Sequence, residues 1–222
     1  ISVVSYQSKN ILIIAPHPDD EVIGCGAFLL LLNSDKRFRD VRVTIVYATS
    51  GARGVTDEYM YLIPELSDDK DNIREQEATK CCSFINSKPI FIRMPFYYQK
   101  DFGDSNVDCL VNLLNDLKPD LIITIDEDND PHGTHGIVHD FVEAAIRKIN
   151  FSGMVLGYKV WDENLNIDCD RATVEFDEIL MKEKKLLLKV YESQVLFPAH
   201  PHEIYNFFEL MELYNKRTAS KL

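Results

Sequence analysis

Ile11-Leu12-Ile13-Ile14-Ala15-Pro16-His17-Pro18-Asp19-Asp20-Glu21 runs an unbroken aliphatic stretch straight into a cluster of acids, and this junction decides the fold. Four consecutive branched aliphatic residues suit a strand buried on both faces rather than one face of a solvated hairpin. Residues 21–33 then have helical composition, with Asp19 or Asp20 placed to cap the helix. Working outward, 41–48 is a second β-branched strand ended by Thr49-Ser50-Gly51, and 52–71 is polar and irregular, a long loop of the length that functional loops have. Further along, 72–85 predicts a helix, 89–94 a strand, 107–117 a helix and 120–125 a strand; a helix then runs to about 149. Segments 154–161 and 172–176 extend the sheet, and helices near 177–192 and 204–215 close the chain. Strand and helix alternate throughout, so the fold class is α/β: a Rossmann-like three-layer α/β/α structure with a mostly parallel central sheet.

Composition agrees with one domain over residues 1–222, with no repeat, linker or low-complexity stretch. Apolar residues make up 45% and charged residues 27%, and the formal charge is −12. That balance excludes a nucleic-acid partner, because a phosphate backbone needs a large basic surface. No apolar run approaches the ~20 residues of a transmembrane helix, and no signal peptide is visible. The five cysteines (Cys25, Cys81, Cys82, Cys109, Cys169) form no metal-type pair and are expected as buried thiols of a cytoplasmic protein in a reducing compartment. A small neutral or mildly charged substrate fits this picture, and a homo-oligomer is compatible with it, since isologous interfaces leave no sequence trace.

Two clusters carry the chemistry. Three acids beside His17 at the end of a buried strand repel one another unless something positive sits there. A helix N-terminus offers only ~0.3–1 kcal/mol per carboxylate, and a divalent cation does far better. The bland alternative is a capping box on a solvated helix start. The second cluster holds Asp126, Asp128, Asp130, His132, His135 and His139 within fourteen residues after another strand. His139 lies a turn deeper in its helix and is expected to stand apart from the site. In an open α/β sheet, ligands bind beyond the carboxyl ends of the strands, where both clusters fall. Imidazole and carboxylate donors together suit Zn2+, although iron or another divalent ion is compatible with them. A carboxylate left off the metal can then act as general base.

Ala15-Pro16-His17-Pro18-Asp19-Asp20-Glu21 with His132-x-x-His135 resembles the PIG-L/LmbE family of zinc-dependent de-N-acetylases. Thr49-Ser50-Gly51, Arg74-Glu75-Gln76-Glu77-Ala78 and Tyr191-Glu192-Ser193-Gln194 also look like family positions, so the resemblance covers most of the chain. It implies a Rossmann-like fold, zinc held by His17, Asp20 and His135, and Asp19 as general base. By the same resemblance His132 stabilises the oxyanion and protonates the departing amine. The implied reaction is removal of acetyl from the nitrogen of an amino-sugar substrate, an N-acetylglucosamine unit of a glycolipid, sugar conjugate or small glycoside. Alternatives are an amidase acting on another N-acyl or thiol-conjugate substrate, and a metal-binding protein without turnover. One departure stands out: Thr134 occupies a position where many relatives carry an Asp that would orient the neighbouring histidine, and Asp128 or Asp130 are the acids that could substitute. Arg53 and Arg74 are candidates for gripping substrate, with a surface pairing of Arg74 to Glu75 or Glu77 as the structural alternative. Tyr191, Ser193 and Gln194 are candidates for a pocket wall, and Tyr97 and Tyr98 for stacking on a pyranose ring. His200 and His202 receive no role.

Overall fold

The computed structural model describes residues 8–62, 69–95, 102–126, 132–160 and 177–196. Five strands make one sheet: β1 (Asn10–Ala15), β2 (Arg42–Tyr47), β3 (Ser87–Phe91), β4 (Leu121–Ile125) and β5 (Met154–Tyr158). Their order is β3-β2-β1-β4-β5 and every neighbouring pair is parallel. The helices are α1 (Asp20–Ser34), α2 (Asp57–Leu62), α3 (Lys70–Phe84), α4 (Gly103–Leu117), α5 (Gly133–Lys148), α6 (Glu178–Leu188) and α7 (Glu192–Val195). The chain begins at the centre, steps out through β2 to β3, then crosses back to lay β4 on the other side of β1. Right-handed crossovers put α1 and α3 on one face and α4 and α5 on the other. The packing agrees, with α4 against α5 and α1 against α6. This is the three-layer α/β/α fold that the alternation predicts.

Ile11 to Ala15 of β1 are fully buried, as are all five residues of β4. Register places Ile14 between Val46 and Thr124. β1 and β4 lie side by side where the direction of strand addition reverses, so their carboxyl ends flank the sheet's switch point, the crevice in which such folds bind ligands. Two motifs more than a hundred residues apart are therefore brought together by one strand pairing.

Several boundaries differ from expectation. The stretch 52–71 is not a plain loop: it contains a 3-10 turn at Ala52–Gly54 and the helix α2. Val55, Tyr59 and Ile73 form a small buried cluster beneath them, and two apolar residues one turn apart in a polar stretch are a weak periodic signal. The Thr56 hydroxyl accepts from the Tyr59 N–H at 3.3 Å and caps that turn. Helix α3 starts at Lys70 because Asp69 caps it, accepting from Asp71 and Asn72. Helix α4 starts four residues before the expected 107, after Gly103 turns the chain at a positive φ of 62°. The expected helix 177–192 breaks after Leu188 and restarts as α7, with Tyr191 at the break. Cys109 is exposed, against the expectation of burial, whereas Cys25, Cys81 and Cys82 are buried free thiols. The expected strand 172–176, the helix 204–215 and Cys169 lie outside the described residues. Among the described residues no helix is long and apolar enough to cross a membrane.

One buried charge in this scaffold makes a stability prediction. Lys184 on α6 packs under α1 and donates to the Ile23 carbonyl at 2.6 Å. Burial pushes its ammonium down from 10.5 to about 8. Between those values the unfolded chain holds a proton that the folded chain has lost, so stability rises with pH through that window. Below about pH 8 the full burial penalty, about 3 kcal/mol at 1.36 kcal/mol per pH unit, is present. Lys184→Met should therefore raise the urea midpoint at pH 7 and flatten the rise in stability between pH 8 and 10. A lower midpoint in the variant would show that the bond to Ile23 outweighs the desolvation.

Candidate metal centre

The acid cluster divides its three carboxylates among three surroundings. Immediately after β1, the Pro16 carbonyl accepts from the Thr49 N–H at 2.9 Å and the Thr49 hydroxyl at 2.8 Å, pinning the strand end to the Thr49-Ser50-Gly51 turn. Gly51 has a φ of 68°, and a Cβ there would lie 3.2 Å from Pro18 Cδ and from Arg74 Nε. Asp19 then adopts a φ of 114°, a strained conformation for a residue with a side chain. Such strain persists where the surroundings over-determine it, and it is a mark of functional sites.

That backbone twist turns successive side chains to different partners. Asp20, 3% exposed, aims one oxygen at two histidines: Oδ2 lies 3.0 Å from His17 Nδ1 and 3.3 Å from His135 Nε2. It also accepts from the His17 N–H at 2.9 Å. Burial alone would raise the Asp20 carboxyl, but His135 and His17 outweigh it and hold the group far below the usual carboxylate range. Glu21 points the other way, into the core, where it accepts from the Tyr191 hydroxyl and from the Asp19 N–H. Burial pushes it up to about 7. Asp19 turns to Arg74, whose Nη2 donates to its Oδ2 at 2.8 Å, and 18% of its side chain remains open to solvent. Burial pushes Asp19 up to about 6, with the Arg74 guanidinium pulling against it. Asp19 occupies the cap position of α1 yet its side chain makes no capping bond. Only the back-reaching half of a capping box forms, from Glu21 to the Asp19 N–H, and of the three acids it is Asp20 that bonds to the histidines.

The second motif closes the site from β4. His132 stands at the cap position of α5, and its carbonyl accepts from the His135 N–H at 2.8 Å. Donor atoms of His17, His132 and His135 lie within 4.8 Å of one another. Ring centroids are 4.8 Å apart for His17 and His132, 5.3 Å for His17 and His135, and 4.6 Å for His132 and His135. Three imidazoles and one ionised carboxylate thus converge on one point at the carboxyl ends of β1 and β4. This donor chemistry fits a tightly held divalent cation.

The remaining candidates are placed as follows. Arg53 lies exposed on the 3-10 turn that abuts His17 and Pro18 through Gly51. Arg74 is 1% exposed and sits behind Asp19, with Nη2 also on the Pro18 carbonyl and Nη1 on Glu77 at 3.1 Å and Ser193 at 3.4 Å. Neither a surface helix residue nor an open substrate grip describes it. His139 Nδ1 lies 3.4 Å from Asp140 Oδ1, and the histidines whose donor atoms converge are His17, His132 and His135. Thr134 is buried directly before His135. Asp128, Asp130, Tyr97, Tyr98, His200 and His202 lie outside the described residues.

Residues 12–146 match the family model described as PIG-L, GlcNAc-PI de-N-acetylase. Over 186 residues the chain is 30% identical to a protein of Bacteroides thetaiotaomicron described as glucosamine-6-phosphate deaminase-like, covering 62% of this chain and 28% of that one. Over 147 residues it is 30% identical to a protein of Bacillus subtilis described as N-acetyl-alpha-D-glucosaminyl L-malate deacetylase, covering 64% of this chain and 61% of that one. The chain therefore spans less than two thirds of either relative. The structure of N,N'-diacetylchitobiose deacetylase from Pyrococcus horikoshii superimposes with a TM-score of 0.64 at 20% identity, covering 95% of this chain and 77% of that one. At that identity the likeness is one of fold.

Proposed function

The chain belongs to the PIG-L family of GlcNAc-PI de-N-acetylases, and on that premise we propose that it is a zinc-dependent hydrolase releasing acetate from the nitrogen of an N-acetylglucosamine-type substrate. The observation that carries this reading is the division of labour between adjacent aspartates. Asp20 meets His17 and His135, while the strained backbone of Asp19 sends its carboxylate to Arg74 with an edge left open to solvent. His17, Asp20 and His135 would hold the metal, leaving Asp19 and His132 for proton transfer. Zinc bound there supplies Lewis acidity and a water acidified toward a pKa of ~7.

The protein's own groups account for the proton movements. Asp19 takes a proton from the attacking water as that water adds to the amide carbonyl. A carboxyl held near 6 is ionised at neutral pH yet basic enough to accept that proton. His132, beside His17 and His135, would face the developing oxyanion and hand a proton to the departing amine. Arg53, exposed on the turn next to Pro18, would hold substrate hydroxyls. Arg74 orients Asp19 rather than substrate.

Acetate release tests the proposal directly. The purified protein should liberate acetate from members of a panel of N-acetylated amino sugars, and a chelator should abolish the release. Release confined to N-acyl amides lacking a sugar would assign a different substrate class. Turnover that survives removal of all metal would sink the mechanism.

A further inference from the structure

Behind Asp19 runs a line of buried polar groups that no substrate can touch. Arg74 gives Nη2 to Asp19 at 2.8 Å and Nη1 to Glu77 at 3.1 Å, so one guanidinium is shared between two carboxylates. Glu77 in turn accepts twice from Ser193, from the backbone N–H at 2.6 Å on Oε1 and from the hydroxyl at 2.8 Å on Oε2. Arg74 is 1%, Glu77 8% and Ser193 0% exposed. The next residue, Gln194, donates to the Ser193 hydroxyl and to the Gly54 carbonyl, both at 3.0 Å, fastening α7 to the 3-10 turn that carries Arg53. Ser193 lies well beyond residues 12–146, the part that matches the family model.

We infer that Ser193 is a positioning residue for the reaction, acting through Glu77 and Arg74 to fix the carboxylate of Asp19; this rests on the assignment of Asp19 as general base. Two carboxylates compete for Arg74, and hydrogen bonds to a charged group are the strong class. Ser193 supplies two of them to Glu77, so that Glu77 is held in place and only Nη1 is drawn to it. Without the hydroxyl, Arg74 Nη1 loses one acceptor and Glu77 Oε2 loses a donor, so the guanidinium is drawn harder onto Glu77, away from Asp19. A carboxylate that must lie within hydrogen-bond reach of the attacking water tolerates little displacement, and a shift of about 1 Å can lower a rate about a hundredfold.

Ser193→Ala, in the full chain loaded with zinc, should lower kcat by roughly ten- to a hundredfold, with KM and bound metal near wild type. The deciding readout is the same change made in the Asp19→Asn background. If Ser193 works through Asp19, it has nothing left to position there, and the residual turnover of Asp19→Asn should not fall further. Glu77→Gln provides a second variant of the same link and should show the same dependence on background. An equal loss of turnover in both backgrounds would mean that Ser193 acts through general stability, and an unchanged kcat in Ser193→Ala would end the proposal outright. A failure of the underlying assignment looks different: Asp19→Asn itself would keep full turnover.

Discussion

Asp19→Asn is expected to lower kcat by roughly 10²–10⁴-fold, the usual contribution of a general base, while bound metal stays near the wild-type level. The substitution keeps the size of the side chain and removes its ability to accept a proton. His17, Asp20 and His135 make their contacts with one another without Asp19, so nothing in the donor set is disturbed. Arg74, which loses a carboxylate partner, retains Glu77, so the variant avoids the penalty of about 3–5 kcal/mol that a wholly unpaired buried charge would bring. The pH profile adds a second, independent mark. Burial raises the Asp19 carboxyl to about 6, so the ionised base is lost as pH falls through that value and kcat/KM should decline on the acid side. In Asp19→Asn that acid limb should disappear. Loss of metal from Asp19→Asn with retention by Asp20→Asn would exchange the two roles.

The fold and the convergence of the histidines were legible in the chain because both depend on local patterns. The aliphatic run 11–14 and its counterpart at 120–125 identify two buried strands, and parallel α/β construction puts their carboxyl ends together. His17 comes two residues after β1 and the His132-x-x-His135 pair opens the helix that follows β4, so their convergence comes from one pairing that short-range sequence can signal. What stayed hidden depends on contacts made across long stretches of chain. Arg74 stands on a helix among Glu75 and Glu77, a pattern indistinguishable from a solvated i,i+3 pair. It is buried because α7, 119 residues later, closes over it. Glu21 reads as one of three crowded acids, and only the packing of Tyr191 shows that it faces the core. The helix break at 189–191 carries no glycine or proline to announce it, since tertiary bonds from Tyr191 and Ser193 override a local preference for continuing. Tyr191-Glu192-Ser193-Gln194 was the available signal, a polar tetrapeptide ending an amphipathic helix. Its partners could not be named without the fold.

Asp20→Ala should remove most of the bound zinc and with it nearly all turnover, whereas His132→Ala should keep the metal and lose the rate. The two changes are informative together because four donors converge where a catalytic zinc takes three protein ligands and leaves one position open. The tight cluster of His17, His132 and His135 is by itself a possible set. Asp20 argues for another choice. Its Oδ2 touches both His17 and His135, it carries the negative charge that a dication rewards, and its oxygen also anchors the His17 N–H. Removing it leaves the imidazoles without the group that holds two of them in register. A ligand that binds only the folded state stabilises by about 2.7 kcal/mol at a hundred times its Kd. Added zinc should accordingly raise the melting temperature of the wild type and of His132→Ala, and leave Asp20→Ala and His17→Ala nearly unmoved. Part of the activity of His17→Ala should return only at zinc concentrations far above those that shift the melting temperature of the wild type, since the other two donors remain. The reverse result, zinc lost from His132→Ala and retained by Asp20→Ala, would make the centre a three-histidine site and leave Asp20 as the acid that orients its ligands.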